Sequence, residues 1–188
     1  NKTCGDGLTA VALGELDRMG LNTRSLPSAA AVPSVNIVAP AGFVVSLPTD
    51  PKRTFAACVP RAELDPVLLH TAISAGAGPL LNHSLRRLQR VPEGWHATFE
   101  HDHEERSIIA SRIVAADGAY SRVRALVDPQ HGNGRSPWFA ARCYVEQAEA
   151  RALWVGFDPD LLPGYWWIFP IGNDRANLGF CVPRSRGQ

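Results

Sequence analysis

Apolar positions along the chain change period several times, and each change marks an element. Leu8, Val11, Ala12, Leu13, Leu16 and Met19 recur at helical spacing and Gly20 follows as a stop, so residues 8–19 read as an amphipathic helix. Ser25–Pro33 is rich in small residues and proline and reads as a linker or surface loop. Two strand-like runs come next, Val35–Ala39 and Phe43–Leu47, with Pro40-Ala41-Gly42 as the break between them. A shorter run, Phe55–Val59, leads to Pro60-Arg61. In the following helix Asp65 is the expected cap and Pro66 a first-turn residue. Leu68, Leu69, Ala72 and Ile73 form the expected buried stripe, and Gly76 and Gly78 the end. A strand is expected around Leu80–Leu85, then an alternating pair, Trp95–Glu100 and Arg106–Ser111, joined by the polar tip His101–Glu105. Arg112–Ala116 reads as a buried strand that stops at Asp117-Gly118 and gives way to a short helix. The last third reads as strands only: Ala140–Val145, Leu153–Phe157, Tyr165–Ile171 and Ala176–Val182. Helices alternate with strands in the middle and strands dominate the end. This predicts an α/β (α+β) chain in which a nucleotide-type α/β region joins an antiparallel sheet.

Composition narrows the function classes. The 188 residues are 45% hydrophobic and 20% charged, enough for one large or two small globular domains. A net charge of +1 gives no electrostatic case for nucleic acid, and Arg86, Arg87 and Arg90 form too short a cluster to change that. No apolar run approaches the length of a spanning helix, and no signal peptide is visible. Cys4, Cys58, Cys143 and Cys181 are scattered without a Cys-x-x-Cys pair, which argues against zinc and disulfides and fits a reducing, cytoplasmic compartment. His101 and His103 beside Glu104 and Glu105 have the types of a metal cluster, but a charged hairpin tip reads better as a solvated face; no metal site is expected. No Ser/His/Asp arrangement has a nucleophile elbow around it, so hydrolysis is not expected. The chain opens on Asn1 inside a motif, so a segment upstream is expected.

Chemistry concentrates in four places. Asp117-Gly118, at the end of an apolar run, has the form of a turn where open α/β sheets bind nucleotides. Gly118 permits close backbone approach, and Asp117 offers an acceptor to a sugar hydroxyl. The same residues equally suit a structural connection with Asp117 as a cap. Gly5 and Gly7 flank Asp6, so the backbone there can pass close to a planar ring, or simply turn before a helix, with Cys4 as a small buried hydrophobe. Arg61 can reach a phosphate, or pair with Glu63 or Asp65. Tyr165, Trp167 and Phe169 alternate and share one face of a strand, fit either for core or for an apolar pocket.

Together these segments resemble the geranylgeranyl reductase family, within the flavoproteins built like aromatic hydroxylases. The resemblance rests on Cys4-Gly5-Asp6-Gly7-Leu8-Thr9, on Arg61 with Asp65 and Leu68, on Ala116–Arg124, and on Pro163-Gly164-Tyr165-Trp166-Trp167-Ile168-Phe169-Pro170, similar to the family's Tyr-x-Trp-x-Phe-Pro signature. It implies a partial FAD-binding Rossmann-like domain (1–25 and 60–134) and an antiparallel β-sheet substrate domain (26–59 and 135–188). It implies FAD as cofactor, recharged by NAD(P)H or another donor, and reduction of carbon–carbon double bonds in a polyprenyl or quinone-like lipid. Cys4, Gly5 and Asp6 would stand at the reacting centre. Gly5, Asp6, Gly7, Arg61, Asp117, Gly118, Ser121 and Arg124 would contact the cofactor. Tyr165, Trp167, Phe169 and Pro170 would contact substrate. A lipid substrate leaves peripheral membrane association open. A flavin monooxygenase is an alternative, because the Asp-Gly element is shared with hydroxylases. A second alternative is a non-catalytic remnant that binds an isoprenoid or quinone. No Gly-x-Gly-x-x-Gly precedes Cys4, and the family's later Gly-Asp segment does not follow Phe180, so the sequence resembles an internal piece. Taken as a whole polypeptide, it is expected to bind flavin weakly or not at all.

Overall fold

A computed structural model describes residues 3–47, 56–130 and 136–184, so Phe55 and the last four residues lie outside the described residues. In chain order the elements are β1 (Gly7–Thr9), α1 (Ala10–Arg18), a 3₁₀ turn (Thr23–Ser25), β2 (Ala30–Val32), β3 (Val35–Val38), β4 (Val44–Leu47), β5 (Ala56–Cys58) and α2 (Arg61–Ser74). They continue as β6 (Ser84–Val91), β7 (Gly94–His101), β8 (Glu104–Ala110), α3 (Arg122–Val127), β9 (Trp138–Val145), β10 (Leu153–Gly156), β11 (Tyr165–Ile171) and β12 (Arg175–Pro183). The chain divides into two compact units, residues 1–77 with 137–188, and residues 78–136. It is a mixed α/β protein with strands in the majority.

The first unit holds a six-stranded sheet in the order β4-β3-β10-β11-β12-β9 and a three-stranded sheet, β1-β5-β2. Every pairing is antiparallel except β3 with β10. One core gathers Val32, Val35, Ala56, Cys58 and Ile171 under Phe169 and Leu153. A second packs Leu16, Leu21, Val59 and Leu64 between α1 and α2. Helix α1 starts where Thr9 Oγ1 accepts the Ala12 N–H at 3.3 Å and ends before Gly20, whose φ of 79° closes the turn. The second unit is the meander β6-β7-β8 with α3 packed on β6. Its tip residues Asp102 and His103 both have positive φ, the geometry of a tight hairpin turn.

Four sequence expectations are corrected. The stretch expected to be a loop over Ser25–Pro33 contains β2, because Ala30, Ala31 and Val32 pair with Cys58, Ala57 and Ala56 and bury Val32. Helix α2 starts at Arg61 rather than at an Asp65 cap, so Pro66 lies inside it. Its buried residue is Leu64, with Val67 and Leu68 partly covered, while Leu69 and Ile73 are exposed. The strand expected near Leu80–Leu85 begins only at Ser84, since Asn82 has a φ of 61° that breaks extended backbone just before it. Arg112–Ala116 is neither buried nor a strand: among the described residues it has no ladder partner, and Val114 is 86% exposed. A strand is made by its neighbours, and a run of β-branched residues without them stays extended but unpaired.

Two tryptophans fix the sheet's glycines. A Cβ at Gly156 would meet the Trp166 ring at 2.0 Å, and one at Gly179 would meet Trp167 at 2.2 Å and the Ala141 carbonyl oxygen at 2.6 Å. Gly179→Ala is therefore expected to destabilise the fold by about 1–3 kcal/mol through overpacking. Gly14, in the middle of α1 with open space around it, should do the opposite: Gly14→Ala is expected to stabilise by about 0.5–1 kcal/mol. The denaturant midpoint of each variant reads both signs.

Candidate functional site

The loop before α1 turns at Asp6, whose φ is 63° and whose side chain is only 2% exposed. Its carboxylate meets three donors from three distant segments. Oδ1 accepts the backbone N–H of Arg61 at 3.3 Å, and Oδ2 accepts the Tyr144 hydroxyl at 2.7 Å and the Asn177 amide at 2.8 Å. The main chain takes part as well: Val59 N–H donates to the Asp6 carbonyl at 2.8 Å, and Asp6 N–H points at Cys4 Sγ at 3.4 Å. Asp6 thus caps α2 from far upstream, with its negative charge at the helix's positive end, and this is why α2 starts at Arg61. Arg61 itself forms an ion pair with Asp65, Nε to Oδ1 at 2.6 Å, a charge contact rather than an aligned hydrogen bond. That contact raises its already high pKa further.

Strand β11 lies over this loop. Tyr165, Trp167 and Phe169 share one face, with ring centroids 6.1 and 6.3 Å apart, and Phe157 extends the row at 6.2 Å from Tyr165. A Cβ at Gly5 would lie 2.8 Å from the Phe169 ring, and one at Gly7 would lie 2.9 Å from it. The planar group that the two glycines admit in this structure is therefore Phe169. Register places Phe169, Asn177 and Tyr144 directly across from one another on β11, β12 and β9, on the same face as Trp167. Asn177 is fully buried; it accepts from Trp167 Nε1 at 3.0 Å and donates to the Cys4 carbonyl and Asp6 Oδ2, each at 2.8 Å. Arg142 stacks on the Tyr144 ring at 4.0 Å. Pro170 is buried on the opposite face. That face, with Trp166, Ile168, Leu178, Phe180, Ala141 and Cys143, walls an apolar cavity of about 590 Å³ whose edge Trp167 reaches.

The Asp117-Gly118 turn belongs to the second unit. Gly118 has a φ of 83°, and among the described residues no atom lies within 4 Å of where its Cβ would stand. Asp117 accepts from the Ser121 hydroxyl at 2.5 Å and from Val123 N–H at 3.0 Å, while Ser121 Oγ accepts Arg124 N–H at 3.0 Å. The Ser121 and Val123 contacts hold the Asp117 carboxyl below the usual carboxylate range. Arg124 also donates to the Ala119 carbonyl at 2.7 Å. The capping expected of Asp117 is thus present, shared with Ser121. Gly118, Ser121 and Arg124 line a cavity of about 470 Å³ with Leu88, Trp95 and Val123. The turn thus places an open left-handed glycine and the Arg124 guanidinium at the edge of a mostly apolar cavity, with the Ser121 hydroxyl engaged by Asp117.

Of the residues singled out in the sequence, Cys4, Gly5, Asp6, Gly7, Arg61, Trp167 and Phe169 come together in the first unit, with Tyr165 at the end of the aromatic row. Asp117, Gly118, Ser121 and Arg124 come together in the second. Sequence reasoning missed Tyr144, Asn177 and Arg142. The one available signal was Asn177 itself, a polar residue in phase with the inward positions of an apolar strand. Among the described residues, no group of three or more His, Cys, Asp or Glu side chains could hold a metal ion.

Residues 2–158 match the family model described as FAD binding domain, and the chain belongs to that family, whose cofactor is FAD. It is 29% identical over 193 residues to the menaquinone reductase of Mycolicibacterium smegmatis, covering 95% of this chain and 45% of that protein. It is 28% identical over 194 residues to digeranylgeranylglycerophospholipid reductase 1 of Methanopyrus kandleri, covering 100% of this chain and 49% of the relative. The fold superposes on a geranylgeranyl bacteriochlorophyll reductase-like protein of Thermoplasma acidophilum with a TM-score of 0.84 at 20% identity, over 97% of this chain and 47% of that one. The chain spans about half the length of the curated relatives it matches.

Burial and the hydrogen bond to Asp6 push the Tyr144 phenol up to about 12, and burial with the nearby Asp6 charge pushes the Cys58 thiol up to about 12. Both groups are neutral when protonated, so their raised values stabilise the fold at lower pH. That contribution is complete below the ordinary values of 10.0 for Tyr144 and 9.0 for Cys58, and is lost as pH rises toward about 12. Phenolate absorbance should show a late-ionising tyrosine that Tyr144→Phe removes; a late step that survives the substitution would contradict the assignment.

Proposed function

We propose that the protein carrying this chain is an FAD-dependent oxidoreductase that reduces a carbon–carbon double bond of a polyprenyl lipid or prenylated quinone. The observation that carries the reading is the packing of Gly5 and Gly7 under Phe169, which makes the Cys4–Gly7 loop and the Tyr165–Phe169 strand one continuous surface. The names of the relatives, reductases of menaquinone and of a digeranylgeranyl lipid, support the substrate class.

In this reading Cys4, Gly5 and Asp6 stand at the reacting centre. Within the first unit Gly5, Asp6, Gly7 and Arg61 are cofactor-binding residues; within the second, Asp117, Gly118, Ser121 and Arg124 are. Tyr165, Trp167 and Phe169 shape the substrate site from one face of β11, with Pro170 buried on the opposite face. Residues 1–25 and 60–134 serve the cofactor, and 26–59 and 135–188 the substrate. When bound, the reduced flavin supplies the hydride, and NAD(P)H or another donor restores it. The protein's own part is to hold an apolar chain against aromatic rings and to keep Asp6 and Cys4 in fixed places beside it. The same aromatic face, and the exposed apolar residues Trp138 and Phe139 on β9, suit a protein that takes its substrate at a membrane surface in the cytoplasm. No described helix is long and apolar enough to cross a membrane.

The test is anaerobic turnover of the protein with FAD, a reductant and a menaquinone or geranylgeranyl lipid, read by mass spectrometry. Addition of two hydrogens to the prenyl chain is the expected product. In a parallel run under air, oxygen-dependent gain of one oxygen atom would replace this reading with the hydroxylase one. Lipid binding without flavin binding or turnover would replace it with a non-catalytic carrier.

A further inference from the structure

We propose that Asn177 is a positioning residue for the Cys4 thiol, and that it ties this thiol to the orientation of the Trp167 ring. The proposal stands on the geometry of the first unit and does not depend on the flavin reading.

Asn177 has no exposed surface, so water does not compete for its amide. Its orientation is fixed chemically: an indole N–H can only donate, so the atom facing Trp167 Nε1 at 3.0 Å is the amide oxygen. Both amide hydrogens then face the loop, one toward the Cys4 carbonyl and one toward Asp6 Oδ2, each at 2.8 Å. A flipped amide would set its NH₂ against the indole N–H and its oxygen against a carbonyl and a carboxylate, losing all three bonds. From there two links lead to sulfur. The Cys4 carbonyl is part of the residue that carries the thiol, and the Asp6 N–H points back at Sγ at 3.4 Å. Asp6 holds this conformation at positive φ, which a free loop would leave. Without the Asn177 donors, the Cys4 carbonyl loses its partner and Asp6 loses one of three, and the strained turn is released. Trp167 lies between Tyr165 and Phe169 in the aromatic row, so a change in that row reaches Cys4 through one buried side chain.

The test is site-resolved alkylation of the unmodified chain and of two variants, with no flavin added. Cys143 is exposed and serves as the rate reference, while fully buried Cys58 reports opening of the fold. Asn177→Ala is expected to raise the alkylation rate of Cys4 by about fivefold or more, with Cys143 unchanged and Cys58 protected. Trp167→Phe keeps an aromatic ring but removes the N–H together with part of the indole bicycle that packs beside Gly179, and is expected to raise the Cys4 rate in the same direction by a smaller factor. Added to Asn177→Ala, it should raise the rate no further. If Asn177→Ala opens the whole fold, seen as labelling of Cys58, Trp167→Phe alone decides. A Cys4 rate unchanged in Trp167→Phe, or rising only together with Cys58, would overturn the proposal.

Discussion

The first unit is organised around one buried carboxylate. Asp6 accepts the first N–H of α2, the hydroxyl of β9's Tyr144 and the amide of β12's Asn177, and its own carbonyl accepts from Val59 beside β5. A charged acceptor at 2% exposure is costly unless donors surround it, and here they come from segments 55, 138 and 171 residues away. Satisfying one group therefore requires the loop, the helix and the far end of the sheet to arrive together. The positive φ at Asp6 is tolerated because these bonds overdetermine it. The same arrangement brings Cys4, Gly5 and Gly7 to the aromatic face of β11, where the proposed chemistry takes place.

What was legible in the sequence was what local periodicity encodes. The β7–β8 hairpin, the β3–β4 hairpin across Pro40-Ala41-Gly42, and β9 through β12 follow their alternation, since each pairs with a near neighbour or buries one face. The start of α2 was not legible, because its cap is Asp6 and not Asp65. Nor was β2, whose three residues become a strand only by pairing with Ala56–Cys58. The apolar run at Arg112–Ala116 shows the converse, a sequence with strand character that finds no ladder among the described residues.

The candidate site was half legible in the same sense. Gly5 and Gly7 announced a close approach, but not that Phe169 makes it. The alternation of Tyr165, Trp167 and Phe169 announced a shared face, but not that Asn177 and Tyr144 complete it across the sheet. Asp117, Gly118, Ser121 and Arg124 announced a turn and a helix start, and the structure adds the cavity that Gly118, Ser121 and Arg124 line. Family membership then names FAD as the cofactor, while this chain's own contribution is the network that holds loop and strand in register.

The most direct test of that network is a double-mutant cycle on folding stability between Asp6→Ala and Asn177→Ala, in which the backbone cost of Ala at positive φ cancels. If the two side chains form the joint that unites loop and sheet, their coupling energy should be about 1–3 kcal/mol, the range for a buried, charge-assisted hydrogen bond. Additivity of the two substitutions to within about 0.3 kcal/mol would contradict the account, since it would mean that loop and sheet are stabilised independently.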